Sequence, residues 1–573
     1  MIYEPGLHKG RRLLNALAIT GLAAAMLAGC TGNGNTAGIN NRGNQPANTA
    51  QPSSSPVNMP APQGSQQPGA EMDEQPSTVF YEVFVRSFYD SDGDGTGDLR
   101  GLTEKLDYLN DGNPDTSGDL GVGGIWLMPV NPSPSYHGYD VTDYRSINPE
   151  YGTLEDMQEL IREAHKRGIK VIMDLVVNHT SKEHPWFVEA AAQQDSGYRD
   201  YYVWAEDQSR PVSGSSAAGS GSPWHSARGS HYMGIFWDGM PDLNFDNPEV
   251  RMEMKDIGRF WLEQGVDGFR LDAAKHIYED LVTDKSEETT AKNVAWWQEF
   301  RQAMNEVNPQ AYIVGEVWEN SAVSVGAYLD KAFDSGFNFG LAETLVNAAK
   351  SEKDSGAAFT LERTYKLYSQ ISGGSFTDAT FLTNHDQNRV MSQLDNNPDH
   401  ARTAAAMLLT LPGNPFIYYG EEVGMLGRKP DEGIREPIPW SADRSSAGQT
   451  AWEPDTNNKD NSGADVESQL SSSGSLLDWY RQLIALRNEV PALRDGTIRD
   501  FASGNDGVMT FERVTAGQQV LVALNLTGSS QTVTLKQGTN GYSYTRVIRS
   551  MPEDAGLTGA ELALPPYSAV ILD

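Results

Sequence analysis

The fold this sequence predicts is a (β/α)8 barrel, with a small subdomain inserted after its third strand and an antiparallel β-sandwich at its C-terminal end. Two observations carry the prediction. Eight short apolar runs recur between residues 79 and 420, and several of the segments between them repeat apolar residues at helical spacing. Several of the runs also close on ionisable residues. In a parallel barrel the C-terminal strand ends are where catalytic groups collect.

The first run is Val79-Phe80-Tyr81-Glu82-Val83-Phe84-Val85-Arg86, and the second is Gly124-Ile125-Trp126-Leu127-Met128-Pro129. Residues 154–167 follow with apolar positions three or four apart, predicting a helix. The third run, Val171-Ile172-Met173-Asp174, leads to Asn178-His179. The fourth ends Gly268-Phe269-Arg270-Leu271-Asp272, and the fifth is Ile313-Val314-Gly315-Glu316-Val317. A weaker sixth lies over 333–339. The seventh ends Phe381-Leu382-Thr383-Asn384-His385-Asp386, and the eighth is Pro415-Phe416-Ile417-Tyr418-Tyr419-Gly420. Residues 180–240, which include a Ser/Gly/Ala tract over 213–222, are too long for a plain connection and predict a subdomain walling a cleft. Barrel segments are therefore expected over 77–179 and 241–487. From 488 to 573 short alternating strands with turn residues between them predict the sandwich.

Asp272, Glu316 and Asp386 each sit at the end of an apolar run. Ionisable groups there cost stability unless they share a polar site. Two acids of opposed protonation state flanking one bond are the machinery of glycoside hydrolysis.

The formal net charge of −33 argues against a basic surface for nucleic acid or anionic membrane. One cysteine, Cys30, excludes an internal disulfide framework and a cysteine metal cluster. Lys9, Arg11 and Arg12, an apolar stretch and then Leu27-Ala28-Gly29-Cys30 describe an export signal over 1–30. Its end resembles a bacterial lipobox. That resemblance implies lipidation at Cys30 and an exported lipoprotein on the extracytoplasmic side of a bacterial membrane, with the anchor as its sole membrane contact. Residues 31–76 are rich in Asn, Gln, Gly, Pro, Ser and Thr, which predicts a disordered tether. A monomer is expected.

Residues 174–179, 268–276, 314–318 and 381–386 resemble, in order and spacing, the four linked motifs of the α-amylase family of glycoside hydrolases. The resemblance implies a retaining α-glucan hydrolase, with Asp272 as nucleophile, Glu316 as acid/base and Asp386 holding sugar hydroxyls. Arg270 matches the arginine that keeps the nucleophile ionised. His137, Tyr139, His179 and His385 match residues around the cleaved sugar, and Asp431 and Arg435 a pair contacting the next one. Lys275 and His276 match contacts on the leaving-group side.

Residues 90–98, Asp-Ser-Asp-Gly-Asp-Gly-Thr-Gly-Asp, alternate oxygen ligands with turn glycines, which is hard-cation chemistry. Gly101 stands where an EF-hand would need its glutamate. By resemblance Asp90, Asp92, Asp94, Asp98 and the Thr96 carbonyl bind calcium. A second calcium would sit between Asn178, Asp242 and the backbone oxygen of His276.

The branch within the family is mixed. His184-Pro185-Trp186-Phe187 resembles oligo-1,6-glucosidases and Lys275-His276 resembles α-amylases, while residues 240–244 lie between glucosidases and neopullulanases. Ala273 stands where α-1,6-specific relatives carry valine, which favours α-1,4 cleavage of starch and maltooligosaccharides. An α-glucosidase, oligo-1,6-glucosidase or neopullulanase-like enzyme, a transglycosylase using the same residues, and a non-catalytic glucan-binding lipoprotein remain as other readings.

Overall fold

The computed structural model describes residues 77–573, apart from 217, 219–220, 279–285, 455 and 460–462. The predicted leader, tether and Cys30 lie outside the described residues. No helix among the described residues is long and apolar enough to cross a membrane.

Ten strands precede the C-terminal sheets: β1 (Phe80–Val83), β2 (Gly124–Leu127), β3 (Lys170–Leu175), β4 (Trp224–Ala227), β5 (Ser230–Met233), β6 (Gly268–Leu271), β7 (Tyr312–Gly315), β8 (Ser335–Gly336), β9 (Ala379–Phe381) and β10 (Asn414–Tyr418). All but β4 and β5 form one parallel sheet in the order β8-β7-β6-β3-β2-β1-β10-β9. A parallel bridge from Phe337 to Ala379 brings its two edges together, completing the eight-stranded barrel. The weak sixth run is the two-residue β8.

The period-two alternation of strand side chains sorts the barrel's interior from its exterior. Phe80, Trp126, Ile172, Val314, Phe381 and Phe416 form one buried cluster inside the barrel. Their neighbours Tyr81, Ile125, Leu127, Val171, Met173, Ile313 and Ile417 join the larger core beneath the helices. By the same parity Glu82, two after Phe80, and Asp174, two after Ile172, occupy interior positions, and Asp174 pairs in register with Arg270. The interior therefore changes from apolar to charged towards the strands' C-terminal ends. Outside, the helix Leu154–Lys166 buries Met157, Leu160, Ile161 and Ala164. Its start is fixed by a reciprocal pair of hydrogen bonds between Thr153 and Asp156, which satisfies two otherwise unpaired amides.

Between β3 and the helix Pro248–Glu263 the chain forms a helix (Pro185–Ala192) and the antiparallel hairpin β4–β5. Phe187 stacks on Trp204, and antiparallel bridges join His179 to Asp242 and Tyr202 to Leu243. The insertion thus returns beside the end of β3.

The C-terminal strands are β11 (Thr497–Asp500), β12 (Val508–Val514), β13 (Gln519–Asn525), β14 (Gln531–Thr534), β15 (Val547–Met551), β16 (Gly556–Thr558), β17 (Glu561–Leu564) and β18 (Ala569–Leu572). They make an antiparallel sheet β11-β12-β13-β18-β15 facing a smaller sheet β14-β17-β16. Leu521 and Ala523 on β13 pack with Val533, Leu562 and Leu564 between the sheets. Val520, Val522 and Leu524, on the other face, join the barrel's outer core.

Buried arginines fasten this seam. Arg513 on β12 donates to the carbonyls of Thr410 (2.5 Å) and Gly496 (2.7 Å), and Arg487 donates to those of Leu409 (2.9 Å) and Leu411 (2.6 Å). Cations at the C-terminal end of the helix Pro398–Thr410 are also favoured by its dipole. Arg513→Ala would strip these carbonyls of their donor and leave a cavity. We expect a loss of about 2–4 kcal/mol in urea denaturation. Arg549 is exposed on β15, and Arg549→Ala should change stability by less than ~0.5 kcal/mol.

Candidate active site

The site is built from the charged layer at the barrel's C-terminal mouth. Arg270 is fully buried on β6. Its Nη1 donates to Asp174 Oδ1 (2.9 Å) and Asp272 Oδ1 (2.6 Å), and its Nη2 lies 2.9 Å from Glu316 Oε2. The Trp126 ring lies 5.2 Å from its guanidinium carbon. Sequence reasoning joined Arg270 to the nucleophile alone; in the structure one guanidinium serves three acids.

Ala273, immediately after Asp272, has φ of 48°, a left-handed conformation that costs an alanine energy. The turn aims its N–H at Glu316 Oε2 (2.9 Å), and Ala274 N–H donates to the Glu316 carbonyl (3.1 Å). Together with Arg270, this turn fixes the glutamate beside the aspartate. Burial, reinforced by the charges of Asp272 and Asp386 and opposed by Arg270, raises the Glu316 carboxyl above its ordinary range. Burial likewise pushes Asp174 up to about 7 against the pull of Arg270.

Asp386 has the opposite surroundings. Burial disfavours its charge, but His385 (Nε2 at 3.1 Å) and Arg435 (Nη2 at 2.9 Å) outweigh that and hold the carboxyl well below the usual range. Arg435 also lies 3.4 Å from Asp431 and donates through Nε to the His385 carbonyl (3.0 Å). Asp431 in turn pairs with Lys429.

Tyr139 stacks on His385, with ring centres 5.5 Å apart. Its hydroxyl meets His385 Nε2 (2.7 Å) and donates to Asp174 Oδ2 (3.0 Å). His179 is buried beside it, with Nε2 3.2 Å from the Tyr139 carbonyl, and burial lowers its pKa. His137 accepts the Tyr139 N–H at Nδ1 (3.1 Å). The structure therefore gathers Asp272, Glu316, Asp386, Arg270, Arg435 and the histidine–tyrosine set around one mouth.

One expected substrate contact, Lys275, is already engaged by the protein. Lys275 Nζ donates to the Trp318 carbonyl (3.0 Å) and pairs with Glu319 (2.8 Å). The His276 carbonyl accepts from Asn178 Nδ2 (2.9 Å). That amide directly spans two segments that a second calcium was expected to join, and Asp242 directs its carboxylate at the Ile235 N–H (3.3 Å).

In the Asp90–Asp98 loop, carboxylate oxygens of Asp90, Asp92 and Asp98 lie within 4.8 Å of one another. Gly93 and Gly95, with φ of 85° and 95°, permit the turn, and Asp90 accepts their amides at 2.7 and 2.8 Å. Asp98 also caps the next helix through the Gly101 N–H (2.8 Å), so Gly101 serves a helix start. Three converging hard-oxygen donors fit calcium. Asp94 is outside this group of three, and its carboxylate accepts the Thr96 N–H (2.7 Å).

Glu82 and Asp174 are the site residues that sequence reasoning missed. Their signal was parity: each is a charged residue two positions after an inward apolar one.

A family model described as "Alpha amylase, catalytic domain" matches residues 82–496, and one described as "Alpha-amylase SusG C-terminal domain" matches 508–571. "Alpha-amylase 3" of Dictyoglomus thermophilum is 42% identical over 496 residues, 87% of this chain and 93% of the relative. "Oligo-1,6-glucosidase" of Parageobacillus thermoglucosidasius is 32% identical over 78% of this chain and 89% of its own. A crystal structure of an α-amylase from H. orenii has a TM-score of 0.79 and 46% identity, covering 87% of this chain and 99% of the other.

Proposed function

Because this chain belongs to the α-amylase family of glycoside hydrolases, we propose that its site cleaves α-1,4-glucosidic bonds of starch and maltooligosaccharides by double displacement, with transglycosylation as a side reaction. The observation that carries the mechanism is the guanidinium shared by Asp272 and Glu316. Two carboxyls tied to one guanidinium suit the retaining separation of about 5–5.5 Å better than the wider inverting one.

Their surroundings divide the work. Glu316, raised by burial, keeps a proton to give to the glycosidic oxygen. Asp272, held at 2.6 Å by Arg270, attacks the anomeric carbon as a carboxylate. The C1–O bond breaks as the Asp272–C1 ester forms, and the departing sugar takes the proton. Glu316 then removes a proton from water, whose oxygen displaces Asp272 from C1 and returns both acids to their starting states. Two inversions retain the α-configuration. Asp386, ionised between His385 and Arg435, accepts the sugar's hydroxyl hydrogens and offsets the charge of the oxocarbenium-like transition state. Tyr139 supplies the aromatic platform, with His137 and His179 beside it. An α-1,6 preference is the second reading, favoured by the 180–187 segment and the oligo-1,6-glucosidase relative.

We also propose that Asp90, Asp92 and Asp98 hold a calcium ion, which would neutralise their mutual repulsion and fix the loop after β1. The leader motif supports export and a lipid anchor at Cys30.

Asp272→Asn should abolish turnover of maltooligosaccharides, which the parent should cleave faster than isomaltose, without lowering Tm. A mechanism-based fluorosugar should label Asp272 in the parent, and labelling elsewhere sinks the assignment. Chelation should lower Tm, since a ligand of the native state stabilises by mass action. Asp92→Asn should shrink that response and Asp94→Ala should shrink it less; a chelator-insensitive parent refutes the ion. Cys30→Ser should move activity from the membrane fraction to the soluble one, and continued membrane partitioning removes Cys30 as the anchor.

A further inference from the structure

Glu82 has no role in the two displacements just described, yet it is a buried carboxylate, 1% exposed, inside the barrel. Its Oε1 lies 2.5 Å from His385 Nδ1. The other ring nitrogen, Nε2, lies 2.7 Å from the Tyr139 hydroxyl and 3.1 Å from Asp386 Oδ2. Tyr139 spends its hydroxyl hydrogen on Asp174 Oδ2 (3.0 Å), so its oxygen faces His385 as an acceptor. Both nitrogens of the imidazole thus face acceptors. A neutral ring carries one hydrogen and would leave one of those contacts as a repulsion between lone pairs.

We propose that Glu82 is a positioning residue that keeps His385 doubly protonated, so that its Nε2 hydrogen is held at the junction of Tyr139 and Asp386 where the sugar ring binds. The proposal rests on the reading of Asp386 as the transition-state acid. The cation beside Asp386 is then supplied from β1, across the barrel interior.

The groups facing His385 agree in sign. Glu82 comes from β1, Asp174 from β3, Asp386 from its own loop, and the Tyr139 ring from the loop after β2. The Trp126 ring on β2 packs edge-on against it. Arg435 is the opposing charge, but it meets His385 at the backbone carbonyl. Burial alone would discharge the imidazole; Asp386 and Glu82 overturn that and raise it to about 9. The raised value means that the charge is present at neutral pH and is lost as pH rises through about 9.

The test separates His385 from Glu316, whose own deprotonation would also limit the alkaline side. α-Glucosyl fluoride has a leaving group that needs no proton, so Glu316→Gln should retain its glycosylation step. In that background the alkaline limb of kcat/KM reports His385. Adding Glu82→Gln, which matches the carboxylate in shape without its charge, should move the limb down by about one pH unit or more. It should also lower kcat/KM on the order of tenfold at neutral pH, mainly in kcat. Glu82→Asp, which keeps the charge but withdraws it, should shift the limb less and in the same direction. A profile that superimposes on the background in both variants, with only Tm lowered, overturns the proposal and leaves Glu82 a structural residue. Failure of Glu316→Gln on the fluoride would count instead against the acid assignment, and the same Glu82 comparison is then read in the unaltered enzyme.

Discussion

The guanidinium of Arg270 stands inside the barrel, and carboxylates from the ends of β3, β6 and β7 converge on it. Neither side of this arrangement is stable without the other. A buried cation with no counter-charge, or three buried carboxylates with no cation, would each carry a desolvation cost of several kcal/mol per charge. The pleat allows no alternative placement, because Arg270 follows Gly268 at an inward position and Asp174 pairs with it in register. The polar layer is therefore a single unit, and the short strands around it fix its spacing.

One cation cannot compensate three full negative charges, and the excess explains how similar side chains acquire different duties. Around Arg270 burial favours retaining protons, neighbouring carboxylates add to it, one shared cation does not offset it, and Glu316 and Asp174 are both raised. On the opposite wall Asp386 meets two cations, His385 and Arg435, and is lowered. The acid that must hold a proton and the acid that must stay charged differ in their share of nearby cations more than in their depth. Calcium at the Asp90–Asp98 loop would answer the same problem of crowded carboxylates on the outside of the barrel.

Much of this was legible in the sequence because strand-end acids in apolar runs have few explanations. Asp272, Glu316 and Asp386 stood out by that contrast, and so did the barrel that carries them. Glu82 and Asp174 were less visible because each sits within or beside a strand, where a lone acid reads as an ordinary edge residue unless inward parity is tracked. The fate of Lys275 was hidden for a different reason. Its partner Glu319 lies beyond the next barrel strand, and a sequence does not reveal which pairs of loops meet. The bond from the Thr96 N–H to the Asp94 carboxylate was also hidden, since alternation along a loop counts oxygen atoms without showing which amides they meet.

Barrel closure has a consequence for how the site comes into being. β1 pairs with β10 on one side and β2 on the other, so the first strand made awaits the last. Contacts so distant along the chain form slowly, and until they do the growing sheet keeps two open edges. The strands bearing Asp174, Arg270, Asp272 and Glu316 are neighbours and can assemble early. Glu82 reaches His385 only when the ring of strands shuts. A partly folded chain would thus hold the reacting pair while lacking the charged imidazole opposite, so competence for chemistry would arrive with the final seam.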